Sequence, residues 1–134
     1  MIKRMLGFIA VCGGLAAGGA LQAHHSVSGT YDVRKQGEVK GVVSTIRLTN
    51  PHGMMAIDVK NKDGSITHWI MSTGSATTLA RLGLLTKDGP NYIKVGDTVT
   101  AMFYPTRNGR PLGFLTSIKM ADGHVVQVAS GTRP

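Results

Sequence analysis

The residues best equipped for chemistry are five histidines, His24, His25, His52, His68 and His124, and the methionines near two of them. Met54 and Met55 follow His52 closely, and Met71 lies near His68. Imidazole is the commonest metal-ligating side chain. It suits copper, zinc, iron and nickel, whereas a thioether favours Cu(I). The pair His24-His25 stands apart because of what precedes it, Ala20-Leu21-Gln22-Ala23.

Lys3 and Arg4 are followed by an uncharged, glycine-rich apolar run from Met5 to Leu21, and Ala23 offers a small residue for cleavage. This is the pattern of a secretory signal peptide, although Leu21 is bulkier than the usual residue three positions before the cut. An uncleaved anchor is the alternative, but the five glycines of the run weaken it as a spanning helix. Lipidation at Cys12 would need a smaller residue than Val11. Cleavage after Ala23 makes His24 a terminus, with a free amine and an imidazole on one residue. Such a pair can chelate, and Cu(II) stands highest in the divalent affinity order. His25 or His52 would supply a further nitrogen. Both chelating groups must be deprotonated, so affinity falls with pH. The expected metal residues are therefore His24, His25 and His52, with Met54, Met55 and His68 as additional donors and copper as the ion.

Each residue also has a plainer use. His25 can be a polar residue on a loose arm, and His52 can cap a turn. His68 can be a satisfied half-buried strand residue, and His124 a solvated turn residue. The methionines can simply fill the core. Other chemistries find less support. The only cysteine, Cys12, leaves with the signal, which excludes thiol-redox and zinc-ribbon roles in the processed chain. There is no phosphate-binding glycine loop leading into a helix and no Gly-x-Ser-x-Gly elbow. The acidic residues lie mostly in turns. Fifteen Lys and Arg against seven Asp and Glu give a net charge of +8. The basic residues are scattered and few aromatics are placed for stacking, which argues against a nucleic-acid binder. Trp69 and Tyr104 are candidates for a binding face, with core packing as the alternative.

These residues need a scaffold, and the chain offers a β domain. Loss of residues 1–23 leaves about 110 residues, the size of one domain. Period-two patterns predict strands at Glu38–Leu48, Met54–Lys60, Ser65–Ser72, Thr98–Tyr104 and Leu112–Met120, with a short strand at Val125–Val128. In the first, Val42, Ile46 and Leu48 share one face and Val39 and Val43 the other, and Gly41 suggests a bulge. Asp63-Gly64 marks a hairpin. Ser75 caps a short helix through Leu79 and Leu82 that Gly83 ends. Three strands, a helix and two or three strands match a five- to six-stranded OB-like β-barrel, with a small sandwich or open β-roll as the alternative. The expected organisation is a signal peptide at 1–23, an extended N-terminal arm at 24–37, the barrel at 38–128 and a flexible tail at 129–134.

The mature His-His-Ser start, Tyr31-Asp32, the Thr49-Asn50-Pro51-His52 turn, the Asp-Gly hairpin, Trp69 and Gly96-Asp97 together resemble a family of small exported bacterial proteins of unknown function. The resemblance covers almost the whole processed chain and implies an envelope location and a small β-barrel, without an activity. The chain departs from it where Gly53, Met54 and Met55 stand in place of a bulky residue after the turn. The expectation is a periplasmic or secreted copper carrier or buffer that is not an enzyme and has no membrane span after cleavage. The alternatives are a metal-free adaptor for an envelope partner or a polyanionic ligand and, further off, a copper-dependent oxidative enzyme.

Overall fold

The computed structural model describes residues 27–129. Residues 1–26, which include the expected signal segment, His24 and His25, and the tail from residue 130 lie outside them. The described chain is mostly β, in the order α1 (Val27–Thr30), β1 (Gly37–Arg47), β2 (Met54–Lys60), β3 (Ile66–Ser72), α2 (Ala76–Arg81), β4 (Thr98–Pro105), β5 (Leu112–Lys119) and β6 (Val125–Gln127). No helix among the described residues is long and apolar enough to cross a membrane.

The strands run β3-β2-β1-β4-β5-β6, antiparallel except that β3 also pairs in parallel with β5 and so closes a five-stranded barrel. This is the OB-like topology that the element order predicts, with β6 as an extra strand. β3 pairs with β5 at Leu112 to Phe114, and β6 pairs with it farther along, at Ser117 to Lys119. The β2–β3 hairpin turns where Asp63-Gly64 predicts. Asp63 Oδ1 accepts from Ser65 N at 3.0 Å and from Ser65 Oγ at 2.6 Å, while Gly64 takes φ +86°.

Two bulges decide which side chains face inward. In β1, Val43 pairs with Ile57 but Thr45 pairs with Ala56, which leaves Ser44 as the extra residue. The inward parity changes there. Val39 and Val43 face the core before Ser44, and Ile46 packs against it afterwards. Val42 and Leu48 are exposed, so the face expected to unite Val42, Ile46 and Leu48 is broken by this bulge. Gly41 has a different role: a Cβ there would lie 2.4 Å from the Asp58 carbonyl oxygen, so glycine permits close approach of β1 to β2. β5 repeats the device. Thr116 is the extra residue between Leu115 and Ser117, and the inward residues change from Leu115 to Ile118.

The core joins Val43, Met55, Ile57, Met71, Val99, Ala101, Phe103, Leu115 and Ile118 from the barrel. Leu79 of α2, with Leu84 and Ile93 after it, packs into the same cluster. Ser75 is the N-cap, accepting from Thr78 N at 3.2 Å, and Gly83 follows the helix with φ +76°. Burial of Leu79 holds this short helix, because six residues cannot sustain one alone.

The arm differs from the extended segment expected. Val27–Thr30 forms one helical turn, closed by the bond from Tyr31 N to Val27 O at 2.8 Å. A single turn has no periodicity to read. Tyr31 then bridges to Thr106, and Asp32 N donates to Pro105 O at 2.8 Å. The Asp32 side chain is buried. Burial pushes its carboxyl up, but bonds from the Arg34 backbone N–H and guanidinium outweigh that and hold it below the ordinary value.

Candidate functional site

The loop between β1 and β2 carries His52. Thr49 Oγ1 donates to the His52 carbonyl at 2.6 Å, and the loop is stitched to the β3–α2 connection by Gly53 N to Gly74 O and Thr73 N to Gly53 O. A Cβ on Gly53 would sit 2.7 Å from Thr73 Oγ1. This contact explains why a small residue stands where the family resemblance leads one to expect a bulky one. The His52 side chain is exposed.

The two methionines after it diverge, as strand alternation requires. Met55 is 1% exposed and packs in the core, so packing is the role it fills. Met54 is half-buried and faces outward. It belongs to a cross-strand row that runs Arg47, Met54, Ser72, Phe114, Tyr104. The Tyr31 ring packs on Phe114 of this row, centroid to centroid 5.7 Å. The arm is thereby docked about two strand spacings, or ~10 Å, from Met54.

His68 is not with them. It lies on the outer face directly opposite Asp58, whose position in β2 is about 13 Å along the strand from Met54. Its Nδ1 is 2.8 Å from Asp58 Oδ1, which also accepts from Ser44 Oγ at 2.8 Å. Those two bonds, His68 first, hold the Asp58 carboxyl below its ordinary value. The extra residue of the β1 bulge thus supplies a hydroxyl to an aspartate–histidine pair.

Trp69 and Tyr104 do not share a face. Trp69 points inward with Met71 and packs against Phe103 at 4.9 Å between centroids. Tyr104 follows the inward-facing Phe103 and so points out.

Sequence reasoning missed the surroundings of His124. Its Nδ1 is 2.6 Å from Asp122 Oδ1, and its Nε2 is 3.1 Å from Asn91 Oδ1. Asn91 Nδ2 donates to Leu82 O at 2.9 Å, which fixes the amide so that its oxygen faces the ring. The β5–β6 turn is tied through this histidine to the chain after α2. Asp122-Gly123-His124 signals a turn, but no local pattern points to Asn91. The cleft beside it, about 280 Å³, is lined by Asp97, Asp122 and His124 among others. Its carboxylates are already engaged, Asp97 by Lys94 at 2.6 Å and Asp122 by His124. The hydrogen bonds from Lys94 hold the Asp97 carboxyl low.

Among the described residues no group of three or more His, Cys, Asp or Glu is placed to hold a metal ion. His24 and His25 lie outside those residues, so the three-histidine arrangement falls only partly within them.

No curated relative and no solved structure matches the chain. One family model does, over residues 13–115, a span that includes His24, His25, the His52 turn and the barrel as far as Leu115. That match takes in most of the sequence, and the chain belongs to this family of unknown function (DUF6152).

Proposed function

We propose that this protein is an exported β-barrel that carries or buffers copper through a processed N-terminal His24. The observation that supports the reading is the docked arm. Tyr31 seats on Phe114, in the same outer row as Met54, which is two residues from the exposed His52. His25 and His24 precede Val27 by two and three residues, a reach of up to about 10 Å. The reading requires His24, His25 and His52 to meet at one ion within that reach. The terminal amine and imidazole of His24 would chelate Cu(II), and the Met54 thioether would suit the reduced ion.

Calorimetric titration with Cu(II) tests the reading. The protein with His24 as its terminus should bind at least tenfold more tightly than a form with one extra residue before it, and His52→Ala should weaken the former. Equal affinity of the native and extended forms would sink the terminal chelate. Mass spectrometry of the exported protein checks the cut itself.

A second reading, a metal-free adaptor for an envelope partner or polyanion, is favoured by one feature. Val42, Ile66 and Ile70 are exposed on the outer wall of β1–β3, and Lys40, Arg47 and Lys60 are exposed on the same strands. Adaptor binding would weaken with salt and be indifferent to chelator; copper binding would respond in the opposite way to the chelator.

A further inference from the structure

A second cleft lies on the outer wall of β4, β5 and β6, with a volume of about 300 Å³. A cross-strand row runs through it, Met102 on β4, Ser117 on β5 and Gln127 on β6. Tyr104 and Val125 stand two residues along β4 and β6, and Gln36 enters from the segment before β1. The β5 bulge shapes the end of the cleft. Thr116 Oγ1 donates to Met102 O at 2.9 Å, and Val128 N and Ala129 N both donate to Thr116 O, folding the chain after β6 across the bulge.

The chemistry of the lining is selective. No Lys, Arg, His, Asp or Glu lines this cleft, although the chain holds 15 lysines and arginines. Three polar side chains at its rim, the Gln36 and Gln127 amides and the Tyr104 hydroxyl, make no hydrogen bond to another described residue. The cleft at His124 differs in its lining, which is charged, with Asp97 and Asp122 already engaged. Two amides and a phenol offer donors and acceptors together, while Met102, Val125 and the tyrosine ring offer apolar surface.

We infer that this cleft binds one ring of an uncharged sugar. Hydroxyl groups both donate and accept, so they pair with amides and a phenol in either sense. The C–H face of a pyranose needs an apolar floor beside an aromatic ring. A charged ligand would lose hydration without meeting a counter-charge. The volume lies at the small end of ligand sites and suits a single ring.

The experiment is an amide NMR titration of the full processed chain with glucose and N-acetylglucosamine, with gluconate and glucosamine as charged controls. Chelator is present throughout, so the result is independent of the copper reading. Saturable millimolar binding by a neutral sugar is expected, with shifts confined to Gln36, Tyr104, Ser117 and Gln127, including the side-chain amides. The charged controls should bind at least tenfold more weakly. Tyr104→Ala should reduce affinity at least tenfold. Gln127→Ala, at an exposed rim position that leaves folding intact, should reduce it severalfold. Absence of saturable shifts with both neutral sugars, equal binding of the charged controls, or affinity unchanged in Gln127→Ala and Tyr104→Ala would overturn the inference.

Discussion

Replacing Tyr31 with alanine should release the arm while leaving the barrel intact. The half-buried ring removes on the order of 100 Å² from water, worth about 2.5 kcal/mol at 25 cal/mol per Å². Its tilted contact with Phe114 at 5.7 Å contributes roughly 0.5–1.5 kcal/mol more. The partly compact unfolded reference reduces the sum, so about 2–3 kcal/mol is a fair expectation for the variant. What then holds the arm is the bond from Asp32 N to Pro105 O at 2.8 Å and the bond from Arg107 Nη2 to Ser28 O at 3.0 Å. Each such bond is worth about 1 kcal/mol net. The ties that remain are comparable to the loss, so the arm should open locally without global unfolding.

Amide hydrogen exchange reads this directly. The N–H groups of Tyr31 and Asp32, bonded to Val27 O and Pro105 O, should lose protection by about 30-fold or more, as ~2 kcal/mol requires. Amides of Met55 and Ile57 in the core should change little. Tyr31→Phe keeps the ring and should behave as the parent, because the hydroxyl makes no hydrogen bond to a described residue. Unchanged protection at Tyr31 and Asp32 in Tyr31→Ala would refute the reasoning, and with it the docking on which convergence of His24 and His52 depends.

Gly113→Ala would put a Cβ 2.4 Å from Phe103 Cδ2, an overpacking expected to cost about 1–3 kcal/mol; since Phe103 packs on Trp69, the single tryptophan, both the fluorescence spectrum and the urea midpoint should shift. Ser75→Ala removes the cap that accepts from Thr78 N and should lower stability by about 1 kcal/mol, read as a fall of several degrees in Tm. The Asp58 carboxyl is held low in the folded state by His68 and then Ser44, so its stabilising effect is present above about pH 4 and is lost as the pH falls below that. Asp58→Asn should therefore flatten the acid side of the Tm–pH profile between about pH 5 and pH 2, and an unchanged profile would count against the pair.

What could be read from the sequence depended on how local the signal was. Met54–Lys60 has clean alternation, and β2 has those bounds. Ser75 and Gly83 carry the backbone demands of a helix start and stop, and both serve as expected. The bulges were illegible because an extra residue changes parity without changing composition. Gly41 drew attention by its type, yet the unpaired residue is Ser44, which looks like any polar strand residue. Thr116 was hidden for the same reason. The candidate site divides along the same line. His52 sits in the loop that its Asn-Pro context predicts, whereas the contact of His124 with Asn91 joins residues 33 apart in sequence. The separation of Trp69 from Tyr104 follows from β4 facing the core through Phe103, which only the closed barrel establishes.

The proposed sites all lie on the outside of the barrel. Its interior is filled by packed aliphatic and aromatic residues, and no buried side-chain nitrogen or oxygen among the described residues lacks a partner. An interior with no unsatisfied group has nothing to offer a polar ligand or an ion. The features with unspent chemistry are all on the wall or at its rim: the exposed His52, the outward Met54, and the unpartnered Gln36, Tyr104 and Gln127. One outer row links two of them, Met54 and Tyr104, with Tyr31 docked on Phe114 between. The β5 bulge adjoins the second cleft, and the β1 bulge supplies Ser44 to the Asp58–His68 pair. The irregularities that defeat a period-two reading therefore adjoin polar side chains on the outer wall, the second cleft for β5 and the Asp58–His68 pair for β1. That is the expected place for them, since a bulge re-aims side chains that a regular strand would hold in fixed alternation.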